Sequence, residues 1–510
     1  MVAVAVYAFH RSGAGGVGAV SAARLLPAMV AAPFSGHLVD RGDRARIVAI
    51  SSALEAAVLA VAAAVMMGGG ALAPIVVLAG LAGIAGTPPR PALAALMPAL
   101  AASPAQLTRA TAMWSAFDSV GFLLGGGAGG LAIVAIGPGG VLVAAASAVA
   151  VSAGLAAALP PVRGTSADDA DGGGEEEGFA AALAGLRTLI HAPLLRTPFA
   201  LLAGLMLLEG TTDVQLVVLS IGKLRLGSGG PGLLYGVWGV GGVLGGGLIL
   251  ALVRRRGFGL ALLVGALGFG AAVAVAGADG LALAVAAMVP AGVGFSLVEA
   301  AVMGVVPRLA DDAVIGRVYA LSEFIYTGGA GVGALIAPLL IGGFGAAGSL
   351  AVVGCAFGGC ALLAWRQCAL LDAGQEQAGR VRELLRGVPF LAPLPLPRLE
   401  RLVRGARAIE VSAGSEIVRL NEPGEEFFVI EDGVVDVVEY GRQLRPGEGF
   451  GEIALLRDVP RTATVRAASA VRLWSISRPA FIAAVTAHGD AGHLADAIVA
   501  EHLARPVSRS

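Results

Sequence analysis

The sequence predicts a bundle of membrane-spanning helices arranged as two repeated halves, followed by a small β-rich domain. Three observations carry this. Of 510 residues, 56% are hydrophobic and only 14% charged, where a soluble domain carries roughly 25% charge. So few charges cannot clothe a water-exposed surface, which excludes an ordinary soluble enzyme. Apolar runs of roughly 20 residues recur as far as residue 371, each long enough to cross about 30 Å of hydrocarbon. Near residue 372 the character changes to ordinary charge density with strand-like alternation. The balance of 35 basic against 36 acidic residues, net −1, excludes wholesale nucleic-acid binding.

Taken in order, residues 1–9 are apolar but too few to cross a bilayer. Runs then follow near 14–35, 46–67, 72–88, 110–136, 138–159, 194–221, 230–252, 258–277, 281–304, 318–342 and 346–365. Pro160 and Pro161 lead into the polar, Gly-rich stretch Ser166–Glu177, the composition of a flexible linker. A surface helix is predicted over 179–191. An internal repeat organises the runs. Met97-Pro98-Ala99-Leu100 resembles Val306-Pro307-Arg308-Leu309, and Arg109, Ala112, Gly121 and Gly125 match Arg317, Ala320, Gly329 and Gly333 at an offset of 208. Two halves of six spans follow, as in carriers built from repeated bundles. Shifting the seventh span back by the same offset places its counterpart before Met1. The first span is therefore expected to lack its first half, through a mis-assigned start codon or a fragmentary gene. The predicted divisions are a first half at 1–160, a linker at 161–192, a second half at 193–371, a tether at 372–389 and the β-domain at 390–505.

Arg41, Arg44, Arg46, Arg90, Arg109, Arg254, Arg255, Arg256, Arg308, Arg317 and Arg366 fall in alternate loops on one side. The positive-inside rule places these loops, and the domain after Arg366, in the cytoplasm of a plasma-membrane protein. The sole lysine, Lys223, follows Gly222 but precedes Leu224, so the Gly-Lys-Ser/Thr of a phosphate-binding ATPase loop is missing. Any pumping must draw on a gradient or a separate subunit. Cys355, Cys360 and Cys368 read as small apolar filler rather than as a disulfide or metal site.

The loop after the second span reads Gly36-His-Leu38-Val-Asp40-Arg41-Gly-Asp43-Arg44. It resembles the loop 2–3 signature of the major facilitator superfamily, Gly-x-Leu-x-Asp-Arg-x-Gly-Arg-Arg, with Gly36, Leu38, Asp40, Arg41 and Arg44 matching and Asp43 replacing a Gly. Gly36 lets two spans approach closely, and Asp40 is suited to cap or pair charge at helix ends. The resemblance implies a cluster that latches the two halves in one state of a transport cycle. Arg254-Arg255-Arg256 in the second half keeps the charge but not the motif. In the fifth span, Gly121, Gly125, Gly126, Gly127, Gly129 and Gly130 read first as a helix-packing stripe. The Gly-rich run also resembles the fifth-span motif of the superfamily's drug antiporters, without its Gly-Pro step.

Ionisable residues inside apolar runs are costly and mark substrate or proton sites. They are Arg24, Glu55, Asp118, Glu209, Asp213, Glu299 and Glu323. Asp118, in the middle of its span, and Glu209 with Asp213, four apart on one helical face, are the candidate substrate or proton site. Structural pairing or an interfacial position is the competing reading for each of them.

Behind the spans, short alternating runs broken by Gly414, Gly424, Gly433 and Gly447 predict a β-barrel or jelly roll with flanking helices. The segment Phe450-Gly451-Glu452-Ile453-Ala454-Leu455-Leu456, then Arg461-Thr462-Ala463, resembles the phosphate-binding cassette of cyclic-nucleotide-binding domains. A helix starting at Gly451 aims free amides at an anion. The resemblance implies that Glu452 accepts the ribose hydroxyl, that Arg461 pairs with the phosphate, and that Ala463 leaves room for the backbone. Ile453 and Ala454 continue the cassette. Thr462 is placed to reach a guanine, yet a hydroxyl there also accompanies cAMP, so cAMP is the leading ligand with cGMP the second. A helix at 478–486 and the stretch 490–504 are expected to form a lid.

The combined reading is a secondary carrier, an exporter or proton-coupled transporter of a small molecule, regulated by cyclic nucleotide. The alternative is a membrane-tethered nucleotide sensor whose carrier-like part transports nothing. A nucleotide-gated channel fails, since neither a pore loop nor an Arg-repeat sensor is present. The bilayer, a small-molecule substrate and a cyclic nucleotide are the expected partners. No metal, cofactor, enzymatic site or nucleic acid is expected.

Overall fold

The structure is a computed structural model that describes residues 1–100, 104–159, 185–187, 189–190, 192–309, 315–394 and 396–486. The polar stretch Ser166–Glu177 and the expected lid segment 490–504 lie outside these residues. Of the helix expected at 179–191, residues 185–187 and 189–190 are described and are helical. The chain divides into two compact units, Met1–Asp372 and Ala373–Ser510.

Among the described residues the first unit is built from helices. Its elements are α1 (Val2–Arg41), α2 (Arg44–Met67), α3 (Leu72–Ala85), α4 (Pro89–Leu100), α5 (Pro104–Ala157), α6 (Pro193–Val218), α7 (Gly230–Arg256), α8 (Phe258–Ala276), α9 (Leu281–Leu309) and α10 (Ile315–Leu363), and α11 (Trp365–Gly387) leaves it. Among the described residues nine helices are long and apolar enough to cross a membrane.

Three of these helices contain a break at which the chain bends without a loop. α1 breaks at Ser12 and Gly13, α5 at Gly137 and α10 at Gly345. Gly137 has φ 72° and ψ 167°, and Gly345 has φ 69° and ψ 170°. A residue with a Cβ resists that conformation, and glycine does not. The two lie 208 residues apart, the offset of the sequence repeat, so the internal repeat reappears as the same backbone reversal in both halves. The apolar residues 2–11 form a short helical piece before the first break.

Packing in this unit is backbone against backbone. A Cβ on Gly130 would lie 2.6 Å from Gly232 Cα, and one on Gly126 would lie 3.0 Å from Tyr235 Cβ. α5 and α7 therefore touch along Gly126 and Gly130, one turn apart. Gly121, Gly125 and Gly129, equally spaced on the same helix, have nothing within 4 Å of an added Cβ. The packing stripe is thus narrower than the sequence suggests. On α6, a Cβ at Gly210 would collide with the Ala330 carbonyl oxygen of α10, and Gly333 of α10 meets the Leu207 carbonyl in return. The largest buried cluster lies in the second half, around Phe199, Leu205, Trp238, Phe269 and Leu297.

The second unit holds the end of α11, then α12 (Leu396–Gly405), eight strands and two short helices. The strands are β1 (Arg407–Val411), β2 (Glu416–Val418), β3 (Glu426–Asp432), β4 (Val435–Val437), β5 (Arg442–Leu444), β6 (Gly449–Phe450), β7 (Val465–Ala467) and β8 (Val471–Ser477). They form two four-stranded antiparallel sheets in the orders β1-β8-β3-β6 and β2-β7-β4-β5. This is the two-sheet roll the alternation predicts. Phe428 pairs with Phe450 and Val429 with Trp474. Between the sheets, Phe428, Ile430, Val435, Phe450, Val465 and Leu473 form one core, and Phe428 stacks on Phe450 at 5.1 Å. The helices α13 (Glu452–Arg457) and α14 (Arg478–Thr486) are the remaining helices of the unit among the described residues.

α14 corrects one expectation. Predicted as part of a lid, it is instead packed into the core. Phe481 is fully buried, 4.7 Å from the Phe427 ring and 5.8 Å from Phe390. Its apolar face is committed to that cluster, so it has no free face with which to cover a ligand.

Because Gly210 has no room for a side chain, Gly210→Val is expected to destabilise the first unit by about 1–3 kcal/mol, read as a lowered melting temperature in detergent. Gly246→Ala, where an added Cβ meets nothing within 4 Å, is the control and should melt like the parent. Equal melting of the two variants and the parent would contradict backbone-contact packing.

Candidate functional site

A cavity of about 460 Å³ opens in the second unit. One side is built from the turn between β6 and α13. Gly451 precedes α13 with φ 96°, a left-handed conformation that frees the first helical amides toward the cavity. A Cβ there would lie 2.5 Å from Arg461 Nη1, and one on Gly424 would lie 2.6 Å from Ala454 Cβ. Gly451 is needed for the guanidinium to sit where it does, and Gly424 leaves room for Ala454 of α13.

Arg461 is 5% exposed and Glu452 is 5% exposed. Arg461 Nη2 donates to the Glu426 carbonyl at 2.7 Å, Nη1 donates to the Gly451 carbonyl at 3.2 Å, and the group lies 5.8 Å from the Phe428 ring centroid. Its backbone is locked as well, with Arg461 N donating to Glu422 O at 2.8 Å and Asn421 N donating to Arg461 O at 2.9 Å. Burial lowers the Arg461 pKa, while Glu426, Glu452, Glu422 and Glu425 oppose that shift. The outcome is a fixed, charged fork beside the first turn of a helix and a buried carboxylate, donors suited to a phosphate and an acceptor suited to a neighbouring hydroxyl.

All seven residues singled out in the sequence, Gly451, Glu452, Ile453, Ala454, Arg461, Thr462 and Ala463, line this cavity. The opposite wall holds Val418, Val437, Leu444 and Val465, with Tyr440 and Arg442 as its polar members. Arg442 is paired with Glu448 at 2.9 Å. Tyr440 and Arg442 escaped the sequence reading, because the β4–β5 turn and the start of β5 that carry them belong to no motif. No residue of α14 lines the cavity among those described.

In the first unit the ionisable residues converge. Tyr235 Oη of α7 donates to Asp213 Oδ1 of α6 at 2.6 Å. Arg24 of α1 lies within electrostatic reach of Glu209, Asp213 and Glu55, and Glu299 of α9 within reach of Glu209. Tyr326 of α10 adjoins Glu299 and Glu323. Glu209 and Asp213 therefore belong to a cluster that includes Arg24 and, through Glu299, the phenol of Tyr326, with the phenol of Tyr235 on Asp213. Tyr235 was missed because a lone tyrosine in an apolar run gives no periodic signal. Asp118 belongs to α5 and its side chain lies outside the described residues.

In the loop 2–3 motif, the side chains of Gly36, Asp40 and Arg41 lie outside the described residues, and Arg44 is half-buried at the start of α2. The start of α2 is capped by Asp43, whose carboxylate accepts from Ala45 N at 3.1 Å and Arg46 N at 3.4 Å. Asp43 immediately precedes α2, which puts it where a side chain reaches the first amides.

Comparison with known proteins matches this division. The profile of the family described as Major Facilitator Superfamily matches residues 1–334, and that of the cyclic nucleotide-binding domain matches 408–488. A cAMP-dependent protein kinase regulatory subunit of Schizosaccharomyces pombe is 33% identical over 102 residues, 19% of this chain and 25% of that protein. A cyclic nucleotide-gated potassium channel of Mesorhizobium japonicum is 41% identical over 95 residues, 18% of this chain and 27% of that protein. The chain thus spans about a quarter of the length of these curated relatives. Among solved structures, the nucleoside transporter NupG is similar in fold, with a TM-score of 0.58 at 13% identity, over 72% of this chain and 94% of that one.

A side chain at Gly451 would be strained at φ 96° and would press on Arg461. Gly451→Ala is therefore expected to cost the second unit about 1–3 kcal/mol, measured by chemical denaturation followed through Trp474 fluorescence. An unchanged midpoint would contradict this geometry.

Proposed function

Because this chain belongs to the major facilitator superfamily and carries a cyclic-nucleotide-binding domain behind its spans, we propose that it is a secondary active transporter of a small molecule whose activity is set by a cyclic nucleotide. The reading includes export or proton coupling, residence in the plasma membrane and a cytoplasmic C-terminal domain. It takes 1–160 and 193–371 as the two halves, 161–192 as their linker, 372–389 as the tether and 390–505 as the nucleotide domain. Asp118, Glu209 and Asp213 are proposed for substrate or proton handling. Gly36, Asp40, Arg41 and Arg44 are proposed as the latch between the halves.

One observation carries the nucleotide half of the reading. Free helix amides, a buried carboxylate and a buried guanidinium converge on one cavity with an otherwise largely apolar far wall. A cyclic phosphate takes the amides and Arg461, the ribose hydroxyl takes Glu452, and the base takes the far wall. The relatives named for cAMP favour cAMP as the ligand, with cGMP as the second choice.

In calorimetric titrations of the full-length chain, cAMP is expected to bind at one site. Glu452→Ala and Arg461→Ala should each weaken binding by about 1.5–3 kcal/mol, the scale of a hydrogen bond to a charged group. No heat with cAMP or cGMP at millimolar concentration would remove the regulatory half of the proposal.

A further inference from the structure

Helix α8 begins without a cap of its own. The residue before it is Gly257, at φ 97°, with no side chain to accept from the first amides. Its counterpart in the first half, α2, is capped locally by Asp43. In α8 the same bonds come from 113 residues away. Asp372 Oδ1 accepts from Gly259 N at 2.6 Å, and Oδ2 accepts from Leu260 N at 2.8 Å. These are the second and third amides of the helix, where a capping side chain binds and where negative charge meets the helix dipole. The approach depends on glycine twice. A Cβ on Gly257 would collide with the Asp372 carboxylate, and one on Gly259 with the Cys368 carbonyl oxygen. The second half has no acidic residue at the corresponding position, and a residue of α11 supplies there what Asp43 supplies in the first.

Asp372 is the last residue of the first unit, but its helix runs on unbroken to Gly387. Within the second unit, Val381 and Leu385 of α11 are buried in a cluster with Phe390, Phe427, Phe481 and Leu455. Leu455 belongs to α13, whose first residues line the nucleotide cavity. One helix therefore ends in the core beneath the ligand site and begins at a removable cap on a membrane span.

We propose that Asp372 is the positioning residue through which the carrier reads the nucleotide domain: displacement of α13 on ligand binding shifts α11 and changes the hold of the Asp372 carboxylate on the first amides of α8. This rests on the nucleotide reading of the cavity. α8 leads into the core of the second half through Phe258 and Phe269, so a change at its capped end bears on the rocking of that half against the other.

Cys368 provides a local reporter. It is 2% exposed, and its thiol is pushed up to about 11 by burial and by Asp372, which makes it a slow nucleophile at rest. In the full-length chain with Cys355→Ser and Cys360→Ser, N-ethylmaleimide labelling of Cys368 is timed with and without saturating cAMP, and cAMP binding is measured by calorimetry on the same sample. Nucleotide is expected to change the labelling rate by at least about fivefold, the lower end of ordinary coupling. Asp372→Asn should raise the basal rate and shrink the nucleotide effect below about twofold, while retaining one cAMP site as proof of folding. Gly257→Ala, which crowds the same carboxylate from the α8 side, should reproduce those rates. Binding with an unchanged labelling rate overturns the proposal and leaves the nucleotide reading standing. A nucleotide effect that survives Asp372→Asn also overturns it. Absence of cAMP binding overturns both.

Discussion

Close contact between helix backbones is the constraint on which the membrane unit depends. In a bilayer, helices gain little from burying apolar side chains, since lipid is equally apolar, so association rests on van der Waals contact at short range. That accounts for the glycines at the tightest helix contacts, among the 77 of the chain. Gly130 against Gly232 and Gly210 against the Ala330 carbonyl are contacts that any Cβ would break. The same residue type serves a second purpose at Gly137 and Gly345, where a single positive-φ residue turns one span into the next. A glycine-rich composition that would weaken a soluble helix is here what allows the bundle to close.

The nucleotide domain solves a different problem. A buried guanidinium is costly unless its hydrogen bonds and charge are met. Arg461 donates to two backbone carbonyls and stands among acidic neighbours. The domain thus holds its cation in place with its own backbone carbonyls, in space that Gly451 leaves open. Such preorganisation lowers the ordering cost of binding.

Much of this was legible from residues alone, for identifiable reasons. Span positions follow from long apolar runs, and the repeat offset seen between Arg109 and Arg317 returns as the Gly137 and Gly345 reversals. The cassette from Gly451 to Ala463 is local in sequence, so its members could be found together. What escaped depends on tertiary contact. Tyr235 reaches Asp213 only because α6 and α7 pack together, and Tyr440 and Arg442 enter the cavity from a turn with no pattern. The lid assigned to 478–486 failed because its apolar face looks the same whether it covers a ligand or, as Phe481 does, fills a core. The Asp43 cap on α2 went unremarked, since capping geometry is decided by the one residue next to the helix. Asp372 was invisible to any local pattern, as its partners lie 113 residues earlier.

The two units, so different in physics, share one covalent element, the helix from Trp365 to Gly387. A carrier joined to a sensor by such a helix is regulated only if ligand binding changes the state of the span it caps. Hydrogen–deuterium exchange on the full-length protein reads both ends of that chain at once, at the amides of 451–457 and at those of 258–262. The account predicts that saturating cAMP slows exchange at 451–457 and also alters exchange at Gly259 and Leu260. Protection confined to 451–457, with 258–262 unchanged, would contradict it.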